Sequence, residues 1–168
     1  RTEVQLAARD FRTAMQIADD PIDRAMAQHN LGYVEFLCGD YLAALALMNE
    51  ADAVLDPLSE TWRAINETDR AEVLSACGLP DEAAAALERA ARSFALRRMR
   101  QSQGEAEFVR ARILLDRDPE TARRLALKAA RLFKSWGSTD WALRAEVVAV
   151  AAEVALRRRT ALSTATEL

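Results

Sequence analysis

Glycine and proline are scarce in this chain, five and four among 168 residues, and aromatics make up only 6%. Valine and isoleucine are thinly spread, no stretch alternates apolar and polar residues, and no Asn-Gly or Asp-Gly pair signals a hairpin, which argues against a β architecture. Two cysteines, Cys38 and Cys77, are too few for a disulfide framework, and both are expected as free, buried thiols. Lysine is confined to Lys128 and Lys134, so nearly all positive charge is arginine. A net charge of −3 gives no general attraction to nucleic acid or to an anionic membrane. No apolar run reaches the roughly 18 residues that a bilayer span needs, and no charged-then-apolar leader opens the sequence. The expectation is a cytoplasmic protein with neither nucleic-acid nor membrane partners. The chain begins at Arg1 rather than Met and both ends lie in helix-like sequence, which reads as a segment of a longer polypeptide.

What is abundant is alanine, about a fifth of all residues, in a chain that is 51% hydrophobic. With so little glycine and proline, this composition predicts an all-α fold. Helix starts stand out at Asp20-Pro21 and Asp118-Pro119-Glu120, where a capping acceptor precedes a proline at the first helical position. Ser59-Glu60, Pro80-Asp81-Glu82 and Ser138-Thr139-Asp140 read as further starts, and Gly39, Gly78 and Ser135-Trp136-Gly137 as stops. Apolar residues at three and four spacing fill the intervals, and eight helices result.

The helices are self-similar. Ala44, Met48, Ala51 and Leu55 map onto Ala83, Leu87, Ala90 and Phe94 at an offset of 39 residues, and the same step leads on to Ala122, Ala126, Ala129 and Phe133. Upstream, Gly32 maps onto Ala71, with Ala111 one residue out of register. Glycine inside a helix costs roughly 1 kcal/mol relative to alanine. Gly32 is therefore expected to be a notch where a first helix meets its second at short range. The predicted architecture is an αα-superhelix of stacked antiparallel helix pairs forming one domain over residues 1–168. It comprises a partial repeat at 1–20, repeats at about 21–57, 58–99 and 101–136, and a C-terminal helix at about 139–160.

These residues resemble the tetratricopeptide repeat, whose pattern is W-x2-L-G-x2-Y, then A-x3-F, then P. The first full copy offers Leu31-Gly32, the turn Gly39-Asp40-Tyr41, Ala44, Ala51 and Pro57, while Gln28, Glu35 and Met48 stand where the family has aromatics. A narrower resemblance lies in DRAEVLSACGLPDEAAAALERAARSF, Asp69 to Phe94, and in EAEFVRARILL from Glu105. This stretch is similar to the repeat region preceding the CHAT domain of actinobacterial proteins, caspase-like peptidases with a His/Cys pair. The resemblance implies that any such dyad lies downstream of Leu168. Similar repeats also occur in large bacterial transcriptional regulators.

The chain itself offers no catalytic constellation. His29 and Cys38 are nine residues apart on one predicted helix, about 13 Å along its axis, and cannot form a dyad. Cys38 and Cys77, at equivalent places in adjacent repeats, are expected about 10 Å apart, beyond disulfide reach. No phosphate loop, nucleophile elbow or metal-ligand cluster is present, so neither enzymatic activity nor a cofactor is expected. Arg97, Arg98, Arg100 and Arg157 to Arg159 read as solvated helix ends. In the tetratricopeptide architecture, the residues three before and one after each notch face the concave side. By that rule His29 and Tyr33, Thr68 and Glu72, Glu107 and Ala111, and Glu146 and Val150 form a groove, with Phe36 and Leu37 one turn along. Such a row, aromatic at one end and acidic toward the other, suits a basic or mixed peptide segment, including one from another domain of the same polypeptide. The competing reading is a solvated face. The expected function is a protein-interaction scaffold, the recognition or regulatory arm of a larger bacterial signalling protein. Two alternatives are self-association through the apolar stretch Trp141 to Leu156, and a ligand-sensing domain with a pocket near Tyr33 and Phe36.

Overall fold

A computed structural model describes the backbone of residues 2–166 and the side chains of residues 3–159. The described residues form eight helices and no strand: α1 (Thr2–Ile17), α2 (Pro21–Cys38), α3 (Tyr41–Leu55), α4 (Glu60–Ala76), α5 (Pro80–Leu96), α6 (Arg100–Leu114), α7 (Pro119–Trp136) and α8 (Thr139–Thr166). Local chemistry sets their ends. Asp20, Asp40, Ser59 and Asp118 each accept a first-turn N–H on a side-chain oxygen, at 2.8 to 3.1 Å. Gly39 and Gly137 end α2 and α7 in the left-handed region, at φ 89° and 84°. The α5–α6 turn achieves the same closure without glycine: Arg98 adopts φ 59°, and the Met99 N–H bonds to the Phe94 carbonyl at 2.9 Å.

The chain divides into two compact units, Arg1–Leu79 and Pro80–Leu168. The division falls inside the stretch 58–99 that the sequence reads as one repeat. In the first unit α1 packs on α2, α2 on α3 and α3 on α4, and α2 also touches α4. In the second, α5 packs on α6, α6 on α7 and α7 on α8, and α6 also touches α8. Turns of two to four residues join these neighbours, which therefore run in opposite directions. Successive packing of this kind is consistent with a helical-repeat superhelix.

Every residue of the recurring columns is inside. Ala44, Met48, Ala51 and Leu55 of α3 are at most 1% exposed, as are Ala83, Leu87, Ala90 and Phe94 of α5 and Ala122, Ala126, Ala129 and Phe133 of α7. α2, α4 and α6 each carry two buried small residues seven apart: Ala25 and Gly32, Ala64 and Ala71, Gly104 and Ala111. A Cβ built on Gly32 lies 2.9 Å from Met48 Cγ and 3.1 Å from the Ala44 carbonyl oxygen, so α3 occupies the space a side chain needs. Gly104 is a second notch, which the sequence reading passed over: its Cβ meets the Phe133 ring at 3.1 Å.

The cysteines differ from expectation. Both are free, but Cys38 and Cys77 are exposed rather than buried, because each falls at the end of its helix beside a terminating glycine.

Two backbone substitutions are expected to move stability in opposite directions. Gly32→Ala gains roughly 1 kcal/mol of helix propensity but forces α2 and α3 apart, at about 1 to 3 kcal/mol. The melting temperature should fall despite the better helix former, and an increase would mean that the α2–α3 contact yields freely. Arg98→Gly should stabilise the fold by about 0.5 to 1 kcal/mol and raise the melting temperature, because left-handed strain of roughly 1 to 2 kcal/mol outweighs glycine's entropy in the unfolded chain. Thermal denaturation of the two variants checks both signs.

Candidate functional site

In the first unit the expected rows of α2 and α4 come together. His29 Nε2 lies 3.0 Å from Asp69 Oδ2, and the Tyr33 hydroxyl donates to Glu72 Oε1 at 3.5 Å. Phe36 is half-buried between Tyr33 and Tyr41, with ring centroids 5.7 and 5.9 Å away. Thr68 turns back on its own helix, its hydroxyl donating to the Ala64 carbonyl at 2.8 Å.

The second unit departs from the expected acidic line. Glu107 is only 3% exposed and its Oε1 is held by Lys128 of α7, while Glu146 pairs with Lys134 at 2.5 Å. The reason is a register slip. The buried pair Gly104/Ala111 stands 40 residues after Ala64/Ala71, not 39, so the counterparts of Thr68 and Glu72 in α6 are Phe108 and Arg112. The Arg112 guanidinium sits 5.7 Å from the centroid of the Phe108 ring. Ala111, fully buried, is a notch residue and not a groove residue.

The most unusual chemistry in the first unit surrounds His29, which is 5% exposed. Asp69 of α4 receives its Nε2, and Asp52 of α3 places Oδ1 3.7 Å from its Nδ1. Asp52 Oδ2 in turn faces Arg70 Nη1 at 3.5 Å. Burial alone would depress the imidazole's pKa, but the nearby carboxylates of Asp52 and Asp69, the latter within hydrogen-bond distance, outweigh it and lift the value from 6.5 to about 9. His29 is thus an imidazolium bridging α2, α3 and α4.

Beside it opens a cavity of about 220 Å³. Met26, Leu55, Trp62 and Ile65 form its apolar wall, and His29, Asn66 and Asp69 its polar side. Asn66 is 1% exposed. Its Nδ2 donates to Asp56 Oδ1 at 3.0 Å, which orients the amide, and its Oδ1 has no partner among the described residues. Burial raises the Asp56 carboxyl's pKa, against the lowering effect of that Asn66 bond. The cavity lies about a turn before Tyr33 on α2.

Among the described residues no group of three or more His, Cys, Asp or Glu side chains is placed to hold a metal ion, and no helix is long and apolar enough to cross a membrane. Sequence reasoning found His29 but missed Asp52, Asp69 and Asn66, which converge on it from two other helices. One signal was available: the repeat offset sets Thr68 across from His29, and Asp69 is its neighbour. Compared with protein-family models, curated proteins and solved structures, the chain matches none of them.

His29 is the only histidine, so its imidazole resonances need no assignment. They should titrate with a midpoint near 9 instead of 6.5. A folded-state pKa above the unfolded one stabilises most fully below pH 6.5 and is lost as pH rises through about 9. The melting temperature should therefore decline across that interval, and His29→Gln should flatten the decline. An imidazole midpoint at or below 6.5 contradicts the buried ion cluster.

Proposed function

We propose that this chain is a tetratricopeptide-like binding scaffold with no catalytic role of its own. It serves as the cytoplasmic recognition or regulatory arm of a larger bacterial signalling protein, with a CHAT peptidase domain as the effector that the sequence resemblance suggests. The reading rests on the α2–α4 face of the first unit. There a half-open apolar cavity, the ion cluster around His29 and the aromatic group of Tyr33, Phe36 and Tyr41 lie along α2, α3 and α4, with α2 seated on α3 at the Gly32 notch. A preformed surface of this kind engages a peptide segment with little loss of its own conformational freedom. Display selection of peptides on the immobilised chain tests it. Selected peptides should perturb resonances of α2 and α4, and Tyr33→Glu combined with Phe36→Glu should weaken them by about 10-fold or more. Enrichment of peptides that perturb only other helices removes the α2–α4 face from consideration.

A second reading, self-association, is favoured by one feature of α8. Leu143, Val147, Val150 and Val154 form an exposed stripe, 44 to 65% accessible, at the four-three-four spacing of a helix-packing seam. Thirty-nine residues earlier, Gly104, Phe108 and Ala111 occupy the corresponding face of α6, where α7 covers them. On this reading a second copy of the chain covers the α8 stripe. Sedimentation at rising concentration should show a dimer, and Val147→Glu with Val150→Glu should return it to monomer. A monomer at concentrations on the order of 1 mM, where even weak association registers, eliminates this reading.

A further inference from the structure

The two units follow one plan, two helix pairs apart in the sequence. Ala25 and Gly32 of α2 correspond to Gly104 and Ala111 of α6, and the column residue Leu55 of α3 corresponds to Phe133 of α7. The same correspondence carries His29 onto Phe108 and Trp62 of α4 onto Trp141 of α8. In the second unit these three positions hold a closed group of rings: Phe108 and Phe133 each lie 5.8 Å from Trp141, and 6.5 Å from one another. In the first unit only the tryptophan is kept. Trp62 packs against Ala25, Ala51 and Leu55, and the cavity of about 220 Å³ opens beside it, where the second unit carries two further rings.

The polar lining of that cavity favours neither sign of charge in an occupant. His29 and Asp69 are a cation and a carboxylate already paired with each other, Asn66 is enclosed with its Nδ2 on Asp56, and Asn30 is exposed to solvent. What is offered to an incoming group is apolar: Met26, Trp62 and Ile65 all line the cavity and are half-buried. An apolar cavity of about 150 Å³ holds a benzene ring, so this one has room for a ring-bearing side chain. It is smaller than the roughly 300 to 1,000 Å³ of small-molecule sites.

We propose that the α2–α4 cavity receives the aromatic side chain of a partner segment, a phenylalanine or tryptophan whose ring sets against Met26, Trp62 and Ile65 and so completes the ring group that the second unit builds from its own residues. The proposal rests on the scaffold reading and gives it a specificity: an aromatic residue anchors the bound segment. Ring-to-ring contact adds to what burial of apolar area alone supplies, and a stiff side chain loses little rotamer freedom on seating. Both favour an aromatic ring over an aliphatic chain of similar size.

The lone histidine on the cavity wall supplies the readout. The whole chain is titrated with acetylated, amidated five-residue peptides of alanine carrying a central phenylalanine, tryptophan, leucine or lysine, and the His29 imidazole resonances are followed. Phenylalanine and tryptophan peptides should produce a saturable shift with a dissociation constant on the order of 1 mM, as expected for one anchoring side chain. The leucine peptide should bind about 3- to 10-fold more weakly, and the lysine peptide should not saturate. Ile65→Glu, at a half-buried position whose counterpart in α8 is the exposed Arg144, should weaken the aromatic peptides by about 10-fold. Leu55→Phe, which gives α3 the residue that α7 has in that column, should do the same by supplying a ring from within, its melting curve showing that it folds. If both folded variants bind the aromatic peptides as the unaltered chain does, the ring seats elsewhere and the proposal is overturned. If leucine or lysine binds as well as phenylalanine, the aromatic anchor is wrong while the scaffold reading stands. If no peptide shifts the imidazole, the cavity is not an anchoring site, and display-selected peptides on the α2–α4 face decide separately whether the scaffold reading survives.

Discussion

Close approach between the first and second helix of a pair is the constraint on which the rest depends. Gly32 against Met48 and Ala44 is its clearest instance, because any side chain at that position runs into α3. Dispersion between two helix backbones rises steeply as they near one another, so a column of alanines facing a glycine replaces the area that larger side chains would bury. The same device recurs where Gly104 meets Phe133 and Ala111 meets Leu125 and Ala126. Helix pairs built this way have little freedom to slide, since a step of register takes Met48 and Phe133 off the glycines that make room for them.

The ion cluster of the first unit is placed by that geometry. His29 stands three residues before the Gly32 notch, so the seating of α2 on α3 delivers its ring to Asp52, and the contact of α2 with α4 delivers it to Asp69. Burying a charged imidazole is unfavourable unless it is paired, and here the two carboxylates over-compensate for the loss of water. An arrangement that requires three helices to converge on one ring also rejects alternative stackings, which leave the charge uncovered. The cavity follows from the same arrangement: Trp62 and Asn66 on α4 face Met26 and Leu55 across a gap that the polar cluster does not fill.

The helices and their pairing were legible because the information for them is local or periodic. A cap such as Asp118 or a stop such as Gly137 acts within four residues of itself, and the alanine columns repeat at an interval that needs no knowledge of the fold. Legibility failed where a single residue shifted the count. The extra residue between α4 and α6 carried the groove assignment from Phe108 and Arg112 to Glu107 and Ala111, which the structure buries. It failed again where partners come from separate helices. Nothing in the vicinity of His29 announces Asp52, 23 residues on, or the unmatched carbonyl of Asn66, because their chemistry exists only once α2, α3 and α4 are assembled. The Arg98 turn was unreadable for a different reason: an arginine in the left-handed region is imposed by the helices on either side and not by its own preference.

Because interhelical spacing is set by glycine and alanine, the frame and the binding surface are written in different residues. Tyr33 and Phe36, which are only partly buried, can change identity while Ala25, Gly32, Ala44 and Ala51 keep α2 and α3 at their separation. A lineage can therefore retune what its α2–α4 face recognises through surface substitutions alone, leaving the skeleton untouched. That division of labour makes such a repeat evolvable: new specificities are reachable by single steps that do not endanger folding.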